Sequence, residues 1–565
     1  MTTPRRIYFI LVAGILFLLG LIYFQIFSAS FLPWDDDYNI TLNPYFLQGQ
    51  WLALWRHTYF GMYIPVTNTI WELVFNFGGG QSMPFRIFNF LLHLLNTFLV
   101  YELVRLWFSK KDFKPGWLLC FAPLVFALHP LQVDAVAWIS GGRDLLATFF
   151  GLITLLVFFR IENWKGYWLA SIFFILSLLS KPQLAALPLV VFTLSLLRDP
   201  FLWKRIYLKM FLWCLPVFAI SLITYLTQAE ITLPPLSPLE RSIVVLDTFG
   251  FYLSKIIWPV SLTVDYGRSP AYLLSHFGNQ WALSFLFFAV TATFFWAACR
   301  TKNWRFFVLF LSWAFCLLPV SGLISFAFQE MSTVANHYIY FSVAIFSLLL
   351  VELLISCAKK LPSLVFIFGM FFLVVCYSTL SWQRLQTWRN PKVFFETMLS
   401  QNPKSHSALM GLAQYYGDDE NNPSKSLALL EKARLQKPKD ILVISNIATT
   451  LGRLGRYKEV AALESWLFDP EFQAWMPKRN VDSANFLNAL GLSMAPLGRV
   501  DLSLMYLCEA QALNPVRPGY AHNAEKILAQ LRPKNPQITC PRFLTFNEFI
   551  QTASVVRFNQ TKESK

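Results

Sequence analysis

Residues 7–44 read IYFILVAGILFLLGLIYFQIFSASFLPWDDDYNITLNP. The first part, 7–29, carries no charge, and a bilayer core takes about 20 apolar residues as a helix. The run is longer than the roughly 7–15-residue apolar core of a secretory signal, and no small-residue cleavage site follows it, so a retained membrane anchor is expected. Asp35, Asp36 and Asp37 stand a few residues further on. Adjacent carboxylates repel one another, so all three are not buried together without a cation or a raised pKa. An uncharged span followed at once by an acid cluster predicts a membrane protein with polar chemistry at the bilayer surface.

Working outward, the whole chain agrees. Its 565 residues are 56% hydrophobic and only 14% charged, against about 25% charged in an ordinary soluble domain. That excludes a disordered chain, a collagen-like chain and a small disulfide scaffold. Further apolar runs lie near 85–107, 115–128, 145–160, 167–180, 183–198, 207–226, 281–299, 306–326, 338–356 and 362–381, giving eleven expected spans. From residue 384 the apolar runs stop, and 384–565 read as a soluble region.

The net charge of +15 invites a nucleic-acid reading, but its placement argues otherwise. With the N-terminus inside, the cytoplasmic pieces are 1–6, 102–114, 160–166, 198–209, 300–305 and 357–361. They hold Arg5-Arg6, Lys110-Lys111, Lys204-Arg205 and Lys359-Lys360 among others. The outside loops hold Arg56, Arg86, Arg143, Lys181, Arg241, Lys255 and Arg268. This is the positive-inside bias. It predicts a multi-pass protein with a cytoplasmic N-terminus, the 384–565 region outside and no nucleic acid; a bacterial inner membrane, with that region in the periplasm, is the expected setting.

Two outside loops, 30–84 and 227–280, are long and rich in aromatic residues or proline. They are expected to lie in the membrane interface as amphipathic segments. An active site needs such a setting if its substrate has one end in lipid and the other in water. An outward-facing carboxylate of the Asp35–Asp37 run could act as a general base on an acceptor hydroxyl, or Asp35 and Asp36 could hold a divalent cation such as Mg or Mn. Other outside loops supply His129-Pro130, Asp134, Arg143, Asp144, Lys181, Asp265, Arg268, Asn336 and His337. Polar residues from five loops are therefore expected to converge on one cavity.

These residues carry a resemblance. The chain resembles the GT-C class of integral membrane glycosyltransferases, and within it the transmembrane and tetratricopeptide-repeat proteins that are similar to protein O-mannosyltransferases, with their bacterial relatives. The family pattern of two acids, Ile and Asn-Pro matches Asp35, Asp36, Ile40, Asn43 and Pro44; Tyr63-Ile64-Pro65 matches its Tyr-x-Pro. Phe85, Asn89, His93 and Asn96 fit the second span. In FALHPLQVDAVAWISGGRDLLA, His129, Pro130 and Asp144 align, Asp134 replaces the usual Glu, and Arg143 is displaced by one position. In VANHYIYF, Asn336 replaces the usual acid. The resemblance covers about residues 1–390.

The resemblance implies an all-α fold: a polytopic GT-C core of about eleven helices at 1–383, then a tetratricopeptide-like solenoid at 384–532 and a tail at 533–565. It implies inverting transfer of a sugar from a polyprenyl-phosphate-linked donor to a protein or glycan acceptor outside. Asp35 or Asp36 would deprotonate or orient the acceptor; Arg143, Lys181, Arg268 or His337 would hold the donor phosphate. Asp37, Asn43, Tyr63, His129, Asp134, Asp144 and Asp265 are further site candidates. His129 could equally cap a helix. No Gly-rich nucleotide loop of the Walker or dinucleotide kind occurs, as a donor other than a soluble nucleotide would require.

The region past residue 403 repeats weakly at a spacing of about 34 residues, the period of a helix–turn–helix repeat. One copy has Leu487, Leu490, Gly491, Gly498, Ala510 and Pro515, another Ile447, Ala448, Gly455 and Arg456, and a first runs from Ser405 through Gly411 to Ala433 and Pro438. Such stacks present a surface to protein partners. The last 30 residues or so are expected to be poorly ordered. Cys508 and Cys540 could pair in an oxidising compartment, but two cysteines impose no framework. Asn39-Ile40-Thr41 is a formal glycosylation sequon. Two other readings compete with a transferase: a lipid-linked-sugar transporter, which would want charges buried mid-span, and a non-catalytic scaffold that gathers envelope proteins on its repeats.

Overall fold

The computed structural model describes residues 14–108, 118–198, 203–227, 235–358, 362–476, 480–515, 517–533, 535–543 and 545–563. The basic pieces 1–6, 110–114 and 359–360, and the start of the first expected span, lie outside them. The described residues form helices and no strand; one isolated bridge joins Tyr59 and Met62. The fold is all-α and polytopic.

Every expected span has a helical counterpart. Among the described residues, six helices are long and apolar enough to cross a membrane: Ser82–Phe108, Ile139–Arg160, Ile206–Thr227, Ala282–Thr301, Asn336–Ala358 and Leu364–Gln386. Leu119–Leu128 and Pro130–Ala137 make a seventh only as a pair bent by 50°. Gly14–Ile26, Trp164–Ser180, Pro182–Arg198 and Arg305–Val320 are apolar but shorter. We label as α1 Gly14–Ile26, α2 Pro65–Phe77, α3 Ser82–Phe108, α4 Leu118–Leu128, α5 Val133–Ala137, α6 Gly142–Arg160 and α7 Trp164–Ser180.

The helices sort by burial. The Ile139–Arg160 and Asn336–Ala358 spans are largely enclosed, whereas Ala282–Thr301 and Leu364–Gln386 show almost their whole surface. The exposed large apolar residues there include Phe285, Phe288, Trp296, Leu364, Val365, Ile367, Phe368, Phe371 and Phe372, as on a face that meets lipid. Arg105 and Arg160 pair with Glu102 near the C-terminal ends of α3 and α6. Arg86 and Arg143 stand near the N-terminal ends of the same two helices. At 1.5 Å rise per residue the 27-residue α3 is about 40 Å long and the 19-residue α6 about 28 Å, so each helix carries its two cation sets at opposite ends.

Both long loops have structure of their own. The 227–280 loop contains a helix, Pro238–Ile257, packed on Phe277–Thr301. Its start is a capping box, Ser237 and Glu240 each satisfying the other's backbone N–H, with Pro238 in the first turn, where its missing N–H costs nothing. The 30–84 loop folds as a cap over the spans: Ile40, Phe46, Leu54, Ile64, Trp71, Phe85 and Ile139 form one apolar cluster.

The chain divides after Lys404, later than the expected break at 383. The cause is local. Trp388 and Phe394 pack together in the first unit, Phe394 meets Trp34, and Asn402 donates to Asp265. In the second unit, Ser405, Asn422 and Asp440 cap successive helices, His406–Asp418, Pro423–Gln436 and Ile441–Arg453. Gly491 is required by packing, since a Cβ there would lie 2.7 Å from Leu507 Cγ. Gly498, at φ +79°, ends its helix in the left-handed region. In the tail, Phe546–Glu563 is a helix with Phe549 and Ala553 buried. Arg557 pairs with Glu464, and Cys508 and Cys540 are disulfide-bonded.

Candidate active site

The acid run leaves the first span and turns at once. Asp37–Thr41 is a single π-helical turn, and Asn43 caps the next helix by accepting from the Tyr45 N–H. Single π turns frequently sit at functional sites because they re-aim side chains. Here the turn sends the three aspartates to three environments.

Asp36 is fully buried. Its Oδ1 accepts from the Ser140 N–H at 3.0 Å and Oγ at 2.7 Å, and its Oδ2 from the Leu32 N–H at 3.2 Å. Burial raises its pKa against the pull of those bonds and of Arg86. Asp37 is half-buried, and burial with the neighbouring Asp36 charge pushes it up to about 6. Asp35 keeps 30% of its side chain exposed and faces Arg143 Nη2 at 3.4 Å. Burial pushes the Asp35 carboxyl up to about 6, although Arg143 and Lys181 both favour its ionised form.

Arg143 and Asp144 open α6, where the helix N-terminus favours negative charge. The Arg143 guanidinium lies 4.8 Å from the Trp138 ring centroid, and its Nη1 reaches Met62 Sδ at 3.3 Å. Met62 is delivered by a tight turn in which Tyr59 and Met62 exchange both backbone hydrogen bonds. Its central residues, Phe60 and Gly61, have φ of +48° and +69°. A bulky residue in that region is strained, and such strain concentrates at functional sites.

Lys181, in the turn after α7, donates to Asp144 Oδ1 at 2.6 Å and lies 5.0 Å from the Tyr338 ring. Burial lowers its pKa to about 8, with Asp144 opposing the shift. His337 lies 5.1 Å from Trp138, ring to ring. The cluster leaves polar atoms over: Arg143 Nε, Asp144 Oδ2 and Trp138 Nε1 are buried without a hydrogen-bond partner. Native structures rarely leave such atoms unpaired.

Asp35, Arg143, Asp144, Lys181 and His337, from four loops, lie near one another. The other candidates do not join them. Arg268 is held by both oxygens of Asp247 at 2.6 Å, so it is not the expected phosphate cation of this cluster. Asp265 caps Gly267 N–H and accepts from Asn402. Tyr63 donates to the Trp55 carbonyl, and Asn43 is a cap. His129 accepts from the Leu131 N–H on Nδ1 and faces the Ile256 carbonyl with Nε2 at 3.1 Å. Those partners require the neutral Nε2–H form, so its place is that of a helix cap. Asp134 belongs to a separate hub, accepting from Arg384, Trp388 and Asn336. The residues that sequence reasoning missed are Arg384, Ser140 and the Met62 turn.

Both oxygens of Asp36 already accept from N–H or O–H donors, and among the described residues no three His, Cys, Asp or Glu side chains cluster to hold a metal. The sequon is closed as well, since Asn39 is buried and donates to Ser140 Oγ at 3.2 Å.

An all-α membrane protein whose loops bring a carboxylate, two cations and aromatic rings to one pocket is the class defined. Known proteins then give it relatives. The chain is 30% identical over 161 residues to "Protein O-mannosyl-transferase TMTC2" of Mus musculus and to that of Homo sapiens, covering 26% of this chain and 18% of each relative. It is 27% identical over 167 residues to "Protein O-mannosyl-transferase TMTC4" of Homo sapiens, covering 25% of this chain and 22% of the relative. The match thus spans less than a quarter of those relatives' length. No family model matches, and no solved structure does. The curated relatives are protein O-mannosyl-transferases, in agreement with the resemblance read from the motifs.

Proposed function

We propose that this chain is a membrane glycosyltransferase that moves a sugar, mannose by the names of its relatives, from a polyprenyl-phosphate-linked donor to a hydroxyl of a protein or envelope-glycan acceptor. The observation that carries this reading is Asp35, partly exposed and beside Arg143 and Lys181. A carboxylate with a pKa near 6 is ionised at neutral pH and basic enough to take a hydroxyl proton in the transition state. The anomeric carbon is attacked as the glycosyl–phosphate bond breaks, and the leaving phosphate takes up negative charge. Arg143 and Lys181 are placed to stabilise that charge, and the unpartnered Arg143 Nε is a free donor for it. Asp36 is a positioning group, because its oxygens are already occupied.

The reaction face is proposed to be the outer one, with the 405–565 unit on the same side. The Lys/Arg bias and the Cys508–Cys540 disulfide, which persists in oxidising compartments, support that orientation. The second unit then meets the acceptor or a protein partner. The test is transfer in proteoliposomes with a polyprenyl-phosphate sugar and a hydroxyl acceptor. Asp35→Asn should abolish transfer while the protein remains folded. Equal transfer from a soluble nucleotide sugar without lipid donor overturns the reading. A reporter active only outside, fused after Arg389, checks the side.

A further inference from the structure

We infer that Arg86 is a positioning residue which, through the Asp36–Ser140 contact, sets the separation between Asp35 and Arg143. This deepens the transferase reading and rests on it. Arg86 lies in the first turns of α3 and is fully buried. Its Nε donates to the Ala29 carbonyl at 3.0 Å, Nη2 to Ser30 at 2.5 Å and Nη1 to Ala137 at 2.6 Å. Thus one guanidinium grips the chain just before the acid run and just before the Trp138–Gly142 turn that opens α6. Asp36 accepts from the Leu32 N–H on one side and crosses to that same turn on the other, bonding Ser140. Asp35 precedes Asp36 and Arg143 follows Ser140 by three residues, so both reacting groups hang from this clamp.

Arg86 is not itself a phosphate ligand, since its Nε and both Nη nitrogens go to main-chain carbonyls. Nor is it there for bulk. A purely apolar side chain of the same size would pack the site without the cost of burying a charge. What the guanidinium adds is direction, since its planar fork fixes two segments at once. Asn89 reinforces the second segment, donating to the Trp138 carbonyl at 2.9 Å.

The groups that face Asp35 are Asp36 on its own loop, Arg143 on α6, Lys181 after α7 and Tyr338 from the last loop. Loosening the clamp weakens the 3.4 Å contact with Arg143, the stronger of the two cationic influences that favour the Asp35 carboxylate. The Asp35 carboxyl must then titrate at higher pH. The experiment uses the full chain in proteoliposomes with Arg86→Lys and Ser140→Ala. Ser140→Ala keeps the backbone donor to Asp36 and serves if Arg86→Lys does not fold. Two readouts are taken: transfer kinetics, and labelling of Asp35 by a water-soluble carbodiimide and an amine nucleophile across pH, quantified by mass spectrometry.

A misplacement of about 1 Å can lower a rate by about 100-fold. We expect kcat to fall between about 10- and 100-fold with donor KM nearly unchanged, and the Asp35 labelling midpoint to rise. Unchanged kcat and midpoint in a folded variant overturn the clamp. A drop in kcat with an unmoved midpoint also overturns it, as that is the signature of general destabilisation. If the wild type transfers no sugar but the labelling midpoint rises, the clamp stands and the transferase reading fails.

Discussion

Two buried carboxylate–cation constellations sit in the membrane unit, and they are finished to different degrees. Asp134 accepts four hydrogen bonds of 2.7–2.8 Å, two from Arg384, one from Trp388 and one from Asn336. Arg384 spends its remaining Nη1 on the Leu262 carbonyl, and Asn336 accepts from Tyr266. The hub is closed on itself. The Asp35–Arg143 and Lys181–Asp144 set has one long contact, a partly exposed carboxylate and orphaned polar atoms on Arg143 and Asp144. A closed set holds structure, because breaking it strands a buried charge; an open set waits for groups that the chain does not supply.

Substitutions on either side should therefore fail in different ways. The largest effect is expected at Asp35. Asp35→Asn removes the base and should lower transfer by about 100- to 10,000-fold, while the unfolding midpoint in detergent stays near wild type. If the rate holds, the carboxylate is no base and the open set loses its meaning.

The mirror image is Arg384→Leu. It leaves Asp134 buried with its charge uncompensated, a loss of about 3–5 kcal/mol in stability, read from thermal or denaturant unfolding. Arg143→Leu should cost less stability and more activity, because Asp35 can still reach water. Equal destabilisation by the two variants would erase the distinction drawn between the sets.

The membrane character and the helical runs were legible in the sequence because hydropathy and charge placement are local signals. Partner choice is not. Arg268 and Arg143 look alike in sequence, and only the fold shows that Asp247 already holds Arg268. Arg384 closes the last span and reads as an ordinary interfacial cation until Asp134, 250 residues away, is seen against it. The Pro238–Ile257 helix was hidden by the proline-rich approach to it, although Ser237-x-x-Glu240 is a capping-box signature. The tail helix had a similar signal, since Thr545 caps the Glu548 N–H and Phe549 and Ala553 share one face.

The pH profile tests the open set without mutation. Asp35 acts as a base only when ionised, so kcat/KM should rise as pH rises through about 6. Lys181 holds phosphate only when protonated, so it should fall as pH rises through about 8. The expected profile is a bell with those limbs. Lys181→Arg stays charged across the range and should remove the alkaline limb while the acidic one remains. A profile flat from about pH 5 to 9 would show that neither group titrates during turnover.

The smallest effect is expected at Asp37, and it separates three neighbours that composition alone cannot. Asp37 shares the raised pKa of about 6 with Asp35, but the charge acting on it is that of Asp36, with no cation beside it. Asp35 in turn responds to Asp36, Arg143 and Lys181. Asp37→Asn therefore leaves the base, its cations and the Ser140 anchor in place. Substitutions away from buried networks usually change free energies by about 0.5 kcal/mol or less, roughly a factor of two. Transfer rates and the acidic limb should match wild type within that factor, whereas Asp36→Asn should disturb both by loosening the turn. A large loss at Asp37 with an intact Asp36 response would move the base one turn outward, and the pocket around Arg143 would need another occupant.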